Sequence, residues 1–216
     1  PAKSTYIEEL TIAFRRRLGL HLMNRIVWQS NKPPGPIQWA SLQRMQLNEG
    51  YEFCLWFCND PVRCIADNRR ILEPHTDQHA ALQQRGGETR RSVNGNGAHR
   101  IRPGSYGQPT PGRIARNIFA VSNNCASQRA YKRRARELGL AAHGAPMPLA
   151  LARKLVRFLS DVGQLVADPF GGSMTTPLAC EIEERPWIAT ETAYDYVRGG
   201  AERFTECPGF SCPLDT

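Results

Sequence analysis

Apolar side chains recur at four-residue spacing at Leu10, Phe14 and Leu18, which predicts a helix over residues 4–18 with Arg15-Arg-Arg17 near its end. Leu22, Ile26 and Trp28 then predict a strand over residues 21–28, broken by the proline-rich residues 31–36. The dense run Tyr51-Glu-Phe-Cys-Leu-Trp-Phe-Cys58 predicts a second, well-buried strand. The two strands would pair as an antiparallel unit with a long loop between them, with Trp28, Phe53, Trp56 and Phe57 in the core. Order returns at Pro148, which suits the first turn of a helix reaching Leu159. Leu151, Leu155, Phe158 and Leu159 mark one face of that helix, and Arg153, Lys154 and Arg157 another. A strand over 164–168, a turn at Gly171-Gly-Ser173 and a helix over 174–184 follow. A strand over 186–191 leads into a helix over 193–204, weakened by Gly199-Gly200. This alternation predicts a parallel α/β layer.

Composition narrows the class. The chain has 216 residues and a mass of 24.2 kDa, a length that suits one domain with or without a large insertion. Hydrophobic residues make up 41%, enough for a core and too many for a disordered chain. No run of 18 apolar residues occurs, and residues 1–5 carry no signal segment. The seven Cys form no Cys-x-x-Cys pair, so reduced thiols in a cytoplasmic protein are expected, with no metal and no membrane association.

The formal charge of +8 is unevenly placed. Between Arg85 and Arg136 there are twelve Lys and Arg against one acid, Glu88, whereas the remainder holds sixteen basic and nineteen acidic residues. A mildly acidic body with a strongly basic insert points to a polyanionic partner. Arg outnumbers Lys eleven to one in the insert, and its fork suits phosphates and guanine edges. Asn94-Gly-Asn-Gly97, Arg102-Pro-Gly-Ser-Tyr-Gly107 and Pro109-Thr-Pro-Gly112 read as loops with short strands at most.

The stretch Val166-Ala-Asp-Pro-Phe-Gly-Gly-Ser-Met-Thr-Thr176 joins a strand ending in a carboxylate to a glycine turn and a helix start. In open α/β sheets ligands sit beyond the carboxyl ends of the strands. Gly171 and Gly172 permit close approach of backbone to ligand. Ser173 and the first helical N–H groups can hold an anion. Glu191 ends the next strand, placed to accept from a ribose diol. The Gly-x-Gly-x-x-Gly of a dinucleotide site is absent, and an acid at the loop start suits a cationic ligand with an α-amino group, such as S-adenosylmethionine.

Asp168-Pro-Phe-Gly-Gly-Ser-Met-Thr-Thr176 with Glu191 resembles the S-adenosylmethionine motif of bacterial DNA amino-methyltransferases, Asp-Pro-Phe-x-Gly-Ser-Gly-Thr-Thr. His143-Gly-Ala-Pro-Met-Pro148 resembles the motif that family places just before it, and Gly112-Arg-Ile-Ala-Arg-Asn117 the segment closing its recognition region. Arg25-Ile-Val-Trp28 and residues 51–57 resemble late strands of its catalytic half, in the β-group motif order.

The resemblance implies a Rossmann-like methyltransferase fold of the α/β class with an inserted basic recognition region. Residues 1–75 would end the catalytic half, 76–137 would recognise DNA and 138–216 would bind the cofactor. The implied cofactor residues are Asp168, Pro169, Phe170, Gly171, Gly172, Ser173, Thr175, Glu191, His143, Ala145 and Pro146, with Phe170 a wall against the cofactor. The implied DNA-binding residues are Arg100, Arg102, Arg113, Arg116, Asn117, Lys132, Arg133 and Arg134. Met174 departs from the family's usual Gly and would narrow the methionine pocket. The family's Asp/Ser/Asn-Pro-Pro-aromatic catalytic motif has no match; Asn31-Lys-Pro-Pro-Gly35 and Asp168-Pro-Phe170 are the nearest, and the motif is expected before residue 1.

The implied reaction is methyl transfer to adenine N6, favoured over cytosine N4, of a base flipped from double-stranded DNA. A homodimer and a bacterial, nucleoid-associated location accompany it. A non-catalytic nucleic-acid binder that kept the fold is the alternative. A nicotinamide-dependent oxidoreductase is disfavoured by the missing glycine motif and the basic insert.

Overall fold

The computed structural model describes residues 2–30, 35–95 and 97–213. Most of the expected break at 31–36, the Pro-Pro of Asn31-Lys-Pro-Pro-Gly35 and Asn96 of the glycine-rich turn lie outside the described residues. In chain order the elements are α1 (Tyr6–Leu18), β1 (His21–Gln29), β2 (Tyr51–Cys58), α2 (Asp77–Gln84), β3 (Ser92–Asn94), β4 (His99–Ile101), β5 (Ile118–Ala120), α3 (Ala126–Glu137), α4 (Leu149–Leu159), β6 (Val166–Asp168), α5 (Thr175–Ile182), β7 (Trp187–Ala189) and α6 (Tyr194–Ala201). They form two compact units, residues 2–66 with 116–213 and residues 67–115. The second unit starts before the expected recognition region of 76–137 and ends inside it, at residue 115. The last part of the basic run belongs to the larger unit.

In the larger unit β1 is the middle strand of the order β2-β1-β5. It runs antiparallel to β2 from His21↔Cys58 to Gln29↔Tyr51, with a bulge between Leu22 and Asn24, and parallel to β5 through Trp28↔Phe119. Ile26, Trp28 and Phe119 are buried, and the Trp28 indole N–H donates to the Val121 carbonyl at 2.8 Å. Phe53 corrects the expected core: it lies at the open end of edge strand β2 and is exposed. Trp56 and Phe57 are half-buried, edge-on to Phe158 and tilted against Phe14.

The expected parallel layer is β6 beside β7, in register Val166↔Trp187 to Asp168↔Ala189. Helices α4 and α5 cover one face through buried Ala152, Val156, Ala179 and Cys180, with Val166 and Trp187 packed against them. Burial pushes the Cys180 thiol up to about 11. All seven cysteines are free thiols.

Helix α3 corrects the reading of the basic insert as loop. Gln128, Tyr131 and Ala135 are buried at three- and four-residue spacing, a helical stripe that the surrounding arginines obscure in the sequence. Strand β5 was likewise too short to read.

Close packing explains Gly199-Gly200 in α6. A Cβ on Gly199 would stand 3.4 Å from the Ala135 Cβ, and one on Gly200 only 2.6 Å from the Met174 Cγ. Small residues let α6 approach α3 and the start of α5 at the expense of helix propensity.

In the smaller unit the Glu73 and Arg113 backbones exchange hydrogen bonds of 3.0 and 2.9 Å, and their side chains form an ion pair of 2.8 Å. Thr76 caps α2 by accepting from the His79 N–H at 3.3 Å, and β3 pairs antiparallel with β4. Gly107 lies against the Gly86 carbonyl, where any Cβ would clash.

Gly200→Ala is expected to lower stability by about 1–3 kcal/mol through overpacking. In a Met174→Ala background, where the clashing atom is gone, the cost should be much smaller. Urea unfolding of the four proteins in this cycle measures both values.

Candidate functional site

Asp168 ends β6, and Glu191 stands just beyond β7, so the two carboxylates lie at neighbouring strand tips. The parallel ladder continues into the turn that follows Asp168. The Thr190 N–H donates to the Asp168 carbonyl at 3.0 Å and the Gly171 N–H to the Thr190 carbonyl at 2.8 Å. The Thr190 hydroxyl donates to the Pro169 carbonyl at 2.9 Å. Asp168 Oδ1 accepts from the Phe170 N–H at 3.0 Å, an Asx-type cap on the turn.

Glu191 is more deeply committed. Its Oε2 accepts from the Gly172 N–H at 2.8 Å. Its Oε1 accepts from the Thr192 and Ala193 N–H groups at 2.8 and 3.0 Å. The Ala193 and Gly172 N–H groups, ahead of those of Thr192, hold its carboxyl below the usual carboxylate value. The carboxylate therefore ties the glycine turn to the start of α6, a structural task that the sequence reading had not given it.

Gly172 has a φ of +51° and Met174 one of +56°, so both occupy the left-handed region. Glycine takes that region without cost, and a methionine there is uncommon. The Met174 side chain is buried, with its Cε 2.9 Å from where a Gly171 Cβ would stand. It fills the space beneath the turn. Ser173 and Thr175 are buried with their hydroxyls 3.0 Å apart. Phe170 leaves the turn and is 86% exposed.

The His143–Pro148 segment lies on the other side of the turn. The His143 ring contacts the Gly172 position and stands edge-on to Tyr196 at 4.9 Å; its Nδ1 is buried without a partner among the described residues. Its N–H donates to the Tyr131 hydroxyl at 2.9 Å. Pro146 is buried and Ala145 exposed. A cleft of about 580 Å³ opens along residues 144–147, walled by Trp28, Glu52, Gln128 and Lys132.

The expected DNA-binding residues divide into two sets. Four are engaged internally. Arg113 pairs with Glu73 and donates to the Pro74 carbonyl. Asn117 donates to Asn24 Oδ1 and the Arg25 carbonyl at 3.3 Å. Lys132 donates to the Gly144 carbonyl at 3.2 Å. Arg134 is paired with Glu202 at 2.7 Å and Glu137 at 3.3 Å. Part of the hydrogen-bonding capacity of these four side chains is thus taken up within the protein. Arg102 and Arg116 remain exposed, as do Arg100 beside Gly97 and Arg133, whose guanidinium stands 3.8 Å from Glu137 but is largely open to solvent. Gln128 and Tyr131 of the basic run touch the His143–Pro148 segment; Tyr131 is a packing aromatic of the insert, and the three-residue spacing of the pair is the signal the sequence carries for it.

Among the described residues no group of three or more His, Cys, Asp or Glu could hold a metal, and no helix is long and apolar enough to cross a membrane.

The lowered acidity of Glu191 sets a pH dependence. The stability it contributes is fully present above the ordinary value of 4.5 and is lost as pH falls through its lower folded value. The thermal midpoint of Glu191→Gln should lie below that of the native chain at pH 7, and the gap should close on acidification below about 4.5. A gap that stays constant from neutral to acid pH would contradict the clamp.

Comparison with known proteins adds three findings. The chain is 28% identical over 207 residues to the type II methyltransferase M.PvuII of Proteus hauseri, covering 95% of this chain and 61% of that protein. The solved PvuII DNA methyltransferase, cytosine-N4-specific, superposes with a TM-score of 0.70 at 25% identity, over 98% of this chain and 60% of that one. The M1.HpyAVI–SAM complex shares the fold, with a TM-score of 0.54 at 19% identity over 94% of this chain and 72% of that one. The chain thus spans about three fifths of the length of the PvuII proteins it matches. The α/β architecture is that of S-adenosylmethionine-dependent methyltransferases. A profile of N6/N4 DNA methylases matches residues 2–202, and with nearly the whole chain inside that match, the protein belongs to the DNA methylase family.

Proposed function

We propose that this chain binds S-adenosylmethionine at the tips of β6 and β7 and serves a DNA amino-methyltransferase. The observation that carries the reading is the glycine turn between Asp168 and Glu191, fixed in left-handed geometry at the ends of two parallel strands. When bound, S-adenosylmethionine supplies an electrophilic methyl group for an exocyclic amino nitrogen of a base.

The residues present fit that group. Asp168 uses only Oδ1 within the described structure, so Oδ2 can accept from an ammonium or hydroxyl. Glu191 has its Oε1 saturated and one bond on Oε2, which leaves room for a single hydroxyl donor there. The His143 ring lies against Gly172 through Cδ2 and Nε2, which brings a further polar atom, Nε2, to the turn. Asp168 therefore binds, whereas Glu191 chiefly holds the turn in shape.

For the DNA, Arg129, Arg133 and Arg136 lie exposed on the outer face of α3 and offer phosphate contacts. Arg100 and Arg102, on and just after β4, are exposed in the smaller unit and suit phosphate or base-edge contact. The target amino group lies within a duplex, so the base is flipped out at a cost of about a few kcal/mol. The cytosine-N4 specificity of the PvuII relative moves the favoured acceptor from adenine N6 to cytosine N4. Mapping methylated bases in DNA treated with the full-length protein and S-adenosylmethionine tests both the activity and the base.

Asp168→Asn keeps an acceptor for the Phe170 N–H but removes the charge. It should weaken S-adenosylmethionine binding by about tenfold, equivalent to about 1.4 kcal/mol. Calorimetry showing unchanged affinity would remove Asp168 from the site. Arg133→Ala should reduce the slope of log affinity for DNA against log salt by about 0.9. Lys132→Ala, whose ammonium is bonded to Gly144, should leave that slope nearly unchanged. DNA binding with no cofactor affinity would instead favour the non-catalytic alternative.

A further inference from the structure

The segment over residues 141–148 forms neither helix nor strand, and Pro146 and Pro148 have no N–H to contribute. Its backbone cannot satisfy itself through a ladder, so donors and acceptors must come from elsewhere. Helix α3 supplies three. Gln128 Nε2 donates to the Pro146 carbonyl at 2.6 Å in a buried bond. The Tyr131 hydroxyl accepts from the His143 N–H at 2.9 Å, and Lys132 Nζ donates to the Gly144 carbonyl at 3.2 Å. Three residues of the segment, 143, 144 and 146, are thus each held by a side chain from one helix face. Asp195 in α6 adds a fourth bond, accepting from the Ala141 N–H at 2.9 Å.

The face is built for this task. Gln128, Tyr131 and Ala135 are 5%, 2% and 0% exposed. Buried Gln is uncommon, and here its amide has a defined partner. Tyr131 is fixed from behind by the Arg203 guanidinium, 4.9 Å from its ring centre, and Arg203 itself donates to Ser127 of the same helix at 2.7 Å. The ring held on the other side of the segment is His143, against Gly172 of the turn.

We propose that Gln128 and Tyr131 are positioning residues that set the 143–146 segment, and with it the His143 ring, against the glycine turn. The cofactor consequence rests on the proposed binding at that turn; the clamp itself does not. By this assignment one helix has two tasks, with arginines outward and a clamp inward.

The test uses the chain with Q128M and Y131F, which keep side-chain volume and remove the bonding group. Hydrogen exchange followed by mass spectrometry reads the segment. Calorimetry with S-adenosylmethionine reads the turn. Each variant should speed exchange within residues 141–148 by about fivefold to tenfold, with α4 and α5 unchanged, and should weaken S-adenosylmethionine binding by a similar factor. Exchange that stays native in the segment, or rises equally throughout the chain, overturns the clamp. Faster local exchange with affinity within about twofold of native overturns its role toward the cofactor. If the native chain itself binds no S-adenosylmethionine, the proposed function fails, and the exchange result still decides the clamp.

Discussion

The parallel pairing of β6 with β7 is the constraint on which the rest of the molecule depends. Strands of three residues are short for a sheet, and a parallel pair is slightly less stable per residue than an antiparallel one. Two sources of support keep them together. On one face, the buried Ala152, Val156, Ala179 and Cys180 cluster removes Val166 and Trp187 from water. At the tips, backbone bonds through Thr190 and Gly171 carry the ladder past the last assigned strand residue. The carboxylate of Glu191 then fastens Gly172 to the start of α6. The two acids are part of the scaffold that shapes the turn.

The same economy of space explains features that look unfavourable locally. Met174 takes a backbone conformation suited to glycine, and Gly199-Gly200 sit inside a helix, where glycine is a poor former. Each makes sense against its neighbours. The Met174 side chain fills the gap under the turn, and Gly200 leaves room for it. Gly199 lets α6 approach Ala135 and Tyr131 of α3. Local preference was given up where interior packing density required it.

Charge has more than one use in the basic segment. Arg134 and Arg198 converge on Glu202. The Lys132 ammonium and the Arg113 guanidinium serve loop carbonyls. Arg116 and Arg133 keep their heads exposed to solvent. A run that has one sign in the sequence therefore becomes a mixture of structural and available cations, and only the latter suit a polyanion.

The elements with strong apolar periodicity were legible: α1, the β1–β2 pair, α4, and the alternation from β6 to α6. Asp168, Gly171, Gly172, Ser173 and Glu191 could be placed at strand tips because a carboxylate, a glycine pair and a helix start occur there in register. Helix α3 and strand β5 were not legible, the first because arginines outnumber its buried residues, the second because three residues carry too little pattern. The sequence by itself determined which residues gather at the turn and the sign of the charge beside it. Only the tertiary structure decided that Glu191 spends its oxygens on backbone N–H groups, that Phe170 faces solvent and that Gln128 and Tyr131 hold the neighbouring segment. Those outcomes depend on hydrogen-bond partners brought together from distant parts of the chain, and one-dimensional spacing carries no record of them.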